Sequence, residues 1–187
     1  MHDEIKSLKS GKYTLVARFH KGANRGAIWA GGKIVDEVQG ETLKDVWDQL
    51  YKRLCALQQE VVAQRRGLDY TSQEVKRAFL AIEPRLSTGH KAMLRAHVKA
   101  AGRALTATQL AEAAGYANYS AANLQYGLLG AMLFGEMPEV LPTLADGTPI
   151  MTFAIASGDG EHRSGEGHWI WTMRPHIAEG LLGSGIL

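Results

Sequence analysis

The sequence predicts an α+β protein in two parts: a small ββ(β)α module over residues 1–69 and a mainly helical domain with one β-hairpin over residues 70–187. Two patterns predict the first part: apolar residues that alternate in period two, and then a long stretch with apolar residues at helical spacing. A series of helix-start signals that ends in a Gly-rich hairpin pattern predicts the second part.

The strands of the first part are predicted between Lys12 and Gly40. Alternate residues are apolar over 13–19, and the Gly-containing turns KGANRG and AGGK follow. This pattern favours two or three short antiparallel strands. A long helix then begins at Thr42, where Asp45 can complete a capping box. Such a module suits packing or the formation of a homodimer.

The second part has three helix-start signals, which are Thr71-Ser-Gln-Glu74, Ser87 or Thr88, and Thr106-Ala-Thr-Gln109. Gly115 is expected to end the third helix in a left-handed conformation, and another helix follows the corner GYANYS. A hairpin is then predicted over MTFAIASGDGEHRSGEGHWIWTM, and Pro175 lies in the first turn of a last helix. A helix-turn-helix followed by a β-hairpin is the winged-helix arrangement.

Composition excludes several classes of protein. Of the 187 residues 45% are hydrophobic, but no apolar run is long enough to span a membrane and no signal peptide is evident, so a cytoplasmic protein is expected. A single cysteine, Cys55, excludes an intramolecular disulfide and a multi-thiolate metal site. The seven histidines lack metal-ligand spacing and no catalytic triad can be assigned. We therefore expect neither a cofactor nor an enzymatic activity.

The formal charge of +2 is distributed very unevenly along the chain. Residues 64–103 contain nine Lys or Arg and three Asp or Glu, whereas residues 104–187 contain two and eight. A basic segment of this kind is typical of a nucleic-acid-binding surface, and it is equally consistent with a solvated helix face.

The helix after the corner, SAANLQYGLLGAMLF, carries an unusual set of polar residues. A helical wheel assigns Leu124 and Leu128 to the inward side and leaves Ala122, Asn123 and Tyr126 outward, with Gln125 beside them. Lys and Glu would be expected on a solvated face. Asn or Gln can pair with adenine in the major groove, so this side is predicted to contact DNA. Asn118 and Ser120 are candidates for the N-cap.

Three blocks, GHKAMLRAH, ATQLAEAAGYANYSAANLQYGLLG and GHWIWTMRPHIAEGL, together give a more specific signal. Over residues 70–187 the chain resembles the winged-helix domain that accompanies HNH nuclease domains in bacterial modification-dependent restriction endonucleases. The resemblance implies sequence-specific binding of double-stranded DNA that carries 5-methylcytosine, and a place in restriction–modification or phage defence. The sequence has no HNH segment, so cleavage by this chain is not expected.

The resemblance implies DNA contacts on the corner GYANYS and the helix after it, at Asn118, Tyr119, Ser120, Ala122, Asn123, Gln125 and Tyr126. His162 and Arg163 are further candidates at the wing tip. Phosphate contacts are expected from the basic segment, at Arg77, Lys91, Arg95 and Arg103. One buried methyl group contributes only about 0.8 kcal/mol, so a strong preference for methylated DNA would require a shaped apolar pocket.

The acidic residues of 104–187 suggest an alternative function. A protein-binding inhibitor from a mobile element, which acts by mimicking DNA in the manner of anti-restriction or anti-CRISPR proteins, would need such an acidic surface.

Overall fold

The computed structural model describes residues 5–158 and 169–187, and its architecture is mixed α+β. The chain divides into two compact units, Met1–Leu68 and Asp69–Leu187. No helix within the described ranges is both long and apolar enough to cross a membrane.

The N-terminal unit is a four-stranded antiparallel sheet followed by one long helix. Its strands are β1 (Ile5–Ser10), β2 (Tyr13–His20), β3 (Ala23–Ala30) and β4 (Lys33–Gly40), paired in chain order, and its helix is α1 (Leu43–Arg65). The two or three strands predicted between Lys12 and Gly40 are confirmed as β2, β3 and β4, whereas β1 was not predicted. That strand places Ile5 and Leu8 three residues apart, so it lacks the period-two signal.

One face of this sheet packs on α1. Leu15 and Ile28 of the sheet and Val46 and Leu50 of the helix are fully buried. The predicted capping box of α1 is confirmed: the Thr42 hydroxyl accepts from the Asp45 backbone N–H, and the Asp45 carboxylate accepts from the Thr42 N–H.

The C-terminal unit contains five helices and three short strands among its described residues. They are α2 (Ser72–Ile82), α3 (Thr88–Lys99), β5 (Ala104–Thr106), α4 (Ala107–Ala114), α5 (Tyr119–Glu136), β6 (Ala156–Ser157), β7 (Ile170–Met173) and α6 (Pro175–Ser184). The three strands form one antiparallel sheet in which β7 lies between β5 and β6.

The predicted helix ends of this unit are confirmed. Thr71, Ser87 and Thr106 are N-caps, and each forms a complete capping box with the third residue of its helix. Gly115 ends α4 at a φ of 70°, a conformation that glycine adopts without the steric penalty of a side chain.

The hairpin differs from its prediction at its beginning. Met151–Ala154 is a 3-10 turn, and the first strand consists of Ala156–Ser157 alone. Phe153 nevertheless meets Trp171, edge to face, with 5.5 Å between the ring centroids. The strand β5 was not predicted, because three residues are too few to show an alternation. His162 and Arg163, predicted at the wing tip, lie outside the described residues.

The predicted orientation of α5 was wrong. Leu124 and Leu128 are 62% and 48% exposed, whereas Ala122 and Tyr126 are buried in the core. Between Tyr119 and Gly135 the helix has no charged residue and apolar residues on every side, so its sequence pattern does not mark one face as inward. Tertiary contacts decide instead: at Gly130 the helix packs so closely on the Met151 carbonyl that an added Cβ would lie 2.0 Å from its oxygen.

Candidate nucleic-acid interface

The exposed side of α5 begins at the corner after α4 and continues for two turns. It is formed by small, polar and apolar residues at helical spacing, which are Ser120, Asn123, Leu124, Gly127 and Leu128, called here the α5 face. None of them is charged, and only Gly127 is partly buried. The face therefore combines one side-chain amide and one hydroxyl with two exposed leucines.

Asn118 fixes the start of this helix. Its side-chain oxygen accepts a hydrogen bond from the Ala121 backbone N–H at 3.0 Å, which makes it the N-cap. Of the two predicted N-cap candidates, the structure therefore selects Asn118 and leaves Ser120 on the α5 face. The first turn of α5 contains no acidic residue, so the partial positive charge of the helix N-terminus is not offset there.

Tyr126 does not reach the α5 face. It is 1% exposed, and its hydroxyl lies 2.5 Å from Nδ1 of the buried His97. The other ring nitrogen, Nε2, lies 2.9 Å from the Trp171 carbonyl oxygen and can only donate to it, so Nδ1 accepts from the tyrosine. Burial raises the pKa of Tyr126 and lowers that of His97. The prediction of a DNA contact at Tyr126 is corrected: this side chain joins α5 to α3 and β7.

The side chain of Gln125 also forms a hydrogen bond within the protein. His90 accepts from the Ser87 backbone N–H at Nδ1, over 3.3 Å, and its Nε2 donates to the Gln125 side-chain oxygen over 3.1 Å. Burial lowers the pKa of His90, which keeps the ring neutral and in this tautomer. Gln125 thus connects α5 to the first turn of α3. Ala122 is buried, which removes a second predicted residue from the surface, and the half-buried Gln125 has its side-chain oxygen held by His90.

The predicted phosphate contacts lie on separate elements. Lys91 forms an ion pair with Glu83 at 3.0 Å, which offsets part of its charge. Arg95 and Arg77 are exposed on α3 and α2. Arg103 is half-buried at a φ of 55°, and its Nε has no hydrogen-bond partner among the described residues.

The structure thus brings Ser120 and Asn123 together on one surface, with Asn118 and Tyr119 at its start. It places Ala122, Gln125 and Tyr126 elsewhere. Sequence reasoning missed Leu124, Gly127 and Leu128. Their spacing is helical, but the equally apolar Leu129 and Leu133 gave the opposite side the same signal.

No protein-family model, curated protein or solved structure matches this chain. Within residues 5–158 and 169–187, no group of three or more His, Cys, Asp or Glu side chains is placed to hold a metal ion.

Proposed function

We propose that the C-terminal unit is a winged-helix domain that binds double-stranded DNA in a sequence-specific manner through the α5 face, without a chemical step of its own. The element order supports this proposal. From α3 onward it runs helix, strand, helix, helix, strand, strand, and β7 lies between β5 and β6. This is the order expected of a winged helix, in which the helix after the turn enters the major groove.

The observation that carries the proposal is the composition of the α5 face. An amide can pair with the N6 and N7 atoms of adenine, and leucine side chains can pack on the C5-methyl group of a pyrimidine. Asn123 and Leu124 are adjacent and exposed there. A face that served only to solvate the helix would carry Lys and Glu, which are absent between Tyr119 and Gly135.

The same leucines bear on the proposed recognition of 5-methylcytosine. Leu124 and Leu128 lie four residues apart and present adjacent apolar surface. Burial of one methyl group against them contributes about 0.8 kcal/mol, which is a few-fold in affinity. We therefore propose a modest preference for methylated over unmethylated duplexes.

Titration of the full chain with matched methylated and unmethylated duplexes tests the proposal. Asn123→Ala should reduce the affinity by about 1–3 kcal/mol, as expected for an amide that reads a base. Its melting temperature should be unchanged, because Asn123 is exposed. The absence of binding to either duplex at moderate salt would refute DNA binding, whereas equal affinity for both would refute the recognition of the methyl group alone.

The exposed leucines also favour a second candidate function, which is the binding of a protein partner. Leu124 and Leu128 could insert into a hydrophobic groove of the partner as two anchors one helical turn apart. In that case a partner should remain bound after nuclease treatment, and Leu124→Ala should release it. Loss of all bound protein after nuclease treatment would count against this candidate.

A further inference from the structure

The N-terminal sheet has a second face, opposite α1, that no other described element of its own unit covers. Along β2, alternate residues point to α1, and the residues between them point away. The strand register aligns Trp29, Ala27 and Arg25 of β3 beside these residues. The open sheet face, as we call it, includes Lys9, Thr14, Val16, Arg18, Arg25, Ala27, Trp29, Ile34 and Glu37.

This face concentrates positive charge. Residues 5–40 contain seven Lys or Arg and two Asp or Glu. One of the two acids, Asp36, lies on the helix side, where both of its oxygens accept from Arg53 at 2.7–2.9 Å. Glu37 is consequently the only carboxylate of the open sheet face in the described part of the chain, against three cationic side chains.

Two of these cations are direct neighbours. Arg18 of β2 and Arg25 of β3 are paired in register, so their Cβ atoms are separated by about 4.5–5.5 Å. Both side chains are exposed, and neither forms an ion pair with any other described residue. Like charges directly opposite each other destabilise a sheet. An anionic ligand would offset this repulsion.

Apolar side chains lie next to the arginines. Val16 and Ala27 occupy the adjacent pair of positions, and Trp29 follows, 38% exposed, beside Ile34. A shallow concavity of about 380 Å³ runs over this part of the face and is bordered by Arg18 and Arg25. Cationic side chains beside an aromatic ring and small apolar side chains are suited to nucleic acid, because the cations can contact phosphates while the apolar surface contacts bases.

The geometry favours a duplex of DNA. Single-stranded nucleic acid is held by several aromatic side chains that stack on successive bases, and among the described residues Trp29 is the only Phe, Tyr or Trp of this face. Strands of β-sheets are among the elements that proteins place in the grooves of B-DNA, whereas the major groove of an RNA duplex is too narrow for side chains to read. We propose that the open sheet face is a second DNA-binding surface, at which Arg18, Arg25 and Lys9 contact phosphates.

The test compares two double variants of the full chain that lose the same charge. Arg18→Gln/Arg25→Gln removes the neighbouring cations of the open sheet face, and Lys44→Gln/Lys52→Gln removes two exposed cations of α1. Affinity for a short labelled DNA duplex is measured between about 50 and 200 mM salt. The slope of log K against log salt is negative, and each lost phosphate contact makes it shallower by about 0.9.

The affinity of the arginine variant should fall at least about tenfold, and its slope of log K against log salt should become shallower by about two. The lysine variant should keep its affinity within about twofold of wild type and its salt slope unchanged. Removal of the Arg18–Arg25 repulsion should leave its melting temperature equal or higher, which separates lost binding from lost folding. Equal affinities of the two variants would overturn the proposal, as would an arginine-dependent preference for single-stranded RNA. This proposal does not use α5. If the arginine variant binds the duplex with wild-type affinity while Asn123→Ala binds it more weakly, the proposal is overturned and the proposed function stands.

Discussion

At the scale of single residues, the contact between His97 and Tyr126 joins three elements of the C-terminal unit. Tyr126→Phe would leave His97 Nδ1 buried without a donor, because Nε2 is already held by the Trp171 carbonyl. We expect the free energy of unfolding to fall by about 1–3 kcal/mol.

Chemical denaturation of wild type and Tyr126→Phe measures this loss in the free energy of unfolding. Tyr51→Phe is the control, because Tyr51 is 49% exposed and its hydroxyl should contribute little. If the two variants unfold at the same denaturant concentration as wild type, the hydrogen bond has no structural role.

Three buried or half-buried histidines, His90 and His97 of α3 and His176 of α6, predict a dependence of stability on pH. Burial is the first cause that lowers the pKa of His90, His97 and His176. Because the folded-state pKa lies below the unfolded value of about 6.5, the unfolded chain binds more protons as the pH falls. The stabilising contribution is thus complete above about pH 6.5 and is lost below it. Unfolding free energies measured at about pH 7.5 and 5.5 should differ, with the lower value at pH 5.5; equal values would contradict this assignment.

Single residues also show which local features could be predicted. The caps at Thr42, Thr71, Thr106 and Gly115 followed from the sequence, since each depends on a side chain or a φ angle within three or four residues. The burial of Tyr126 did not, because its partner His97 lies 29 residues away and belongs to another helix.

At the scale of elements, α5 is held by its close approach to the segment after it. Gly130→Ala would bring a methyl group against the Met151 carbonyl, which is backbone and cannot rotate away. The free energy of unfolding should fall by about 1–3 kcal/mol. Gly127→Ala is the matched control in the same helix: its Cβ would meet nothing within 4 Å, and it should add about 0.5–1 kcal/mol of stability.

Thermal unfolding of both glycine variants gives the comparison. A Gly130→Ala protein that is as stable as Gly127→Ala would mean that α5 does not pack on Met151 as described.

The elements that could not be predicted are short or uniformly apolar. β5 has three residues, and β1 has lysines and serines at most of its positions, so neither shows a period. The existence of α5 was clear, but its orientation was not, because leucines occur on both sides. In each case contacts with distant segments, rather than local preference, decide the outcome.

At the scale of the whole molecule, charge is distributed unevenly along the chain. The sheet strands and residues 64–103 are basic, and residues 104–187 are acidic. DNA bound at the α5 face must therefore be attracted by cations outside α5, since that helix has none. The basic residues of α2 and α3, such as Arg77 and Arg95, would supply such cations within the same unit, which predicts strongly salt-dependent binding.

The central claim is that the α5 face contacts DNA, and a carboxylate placed there tests it most directly. Leu124→Glu and Leu144→Glu introduce the same charge at leucines of the C-terminal unit that are 62% and 54% exposed, so both variants should remain folded. The measurement is the affinity of each variant for a short duplex at fixed salt. The proposed function predicts that Leu124→Glu loses at least about tenfold, through repulsion from the phosphates and loss of the apolar contact, while Leu144→Glu stays within about twofold of wild type. Equal affinities for the two variants would contradict it.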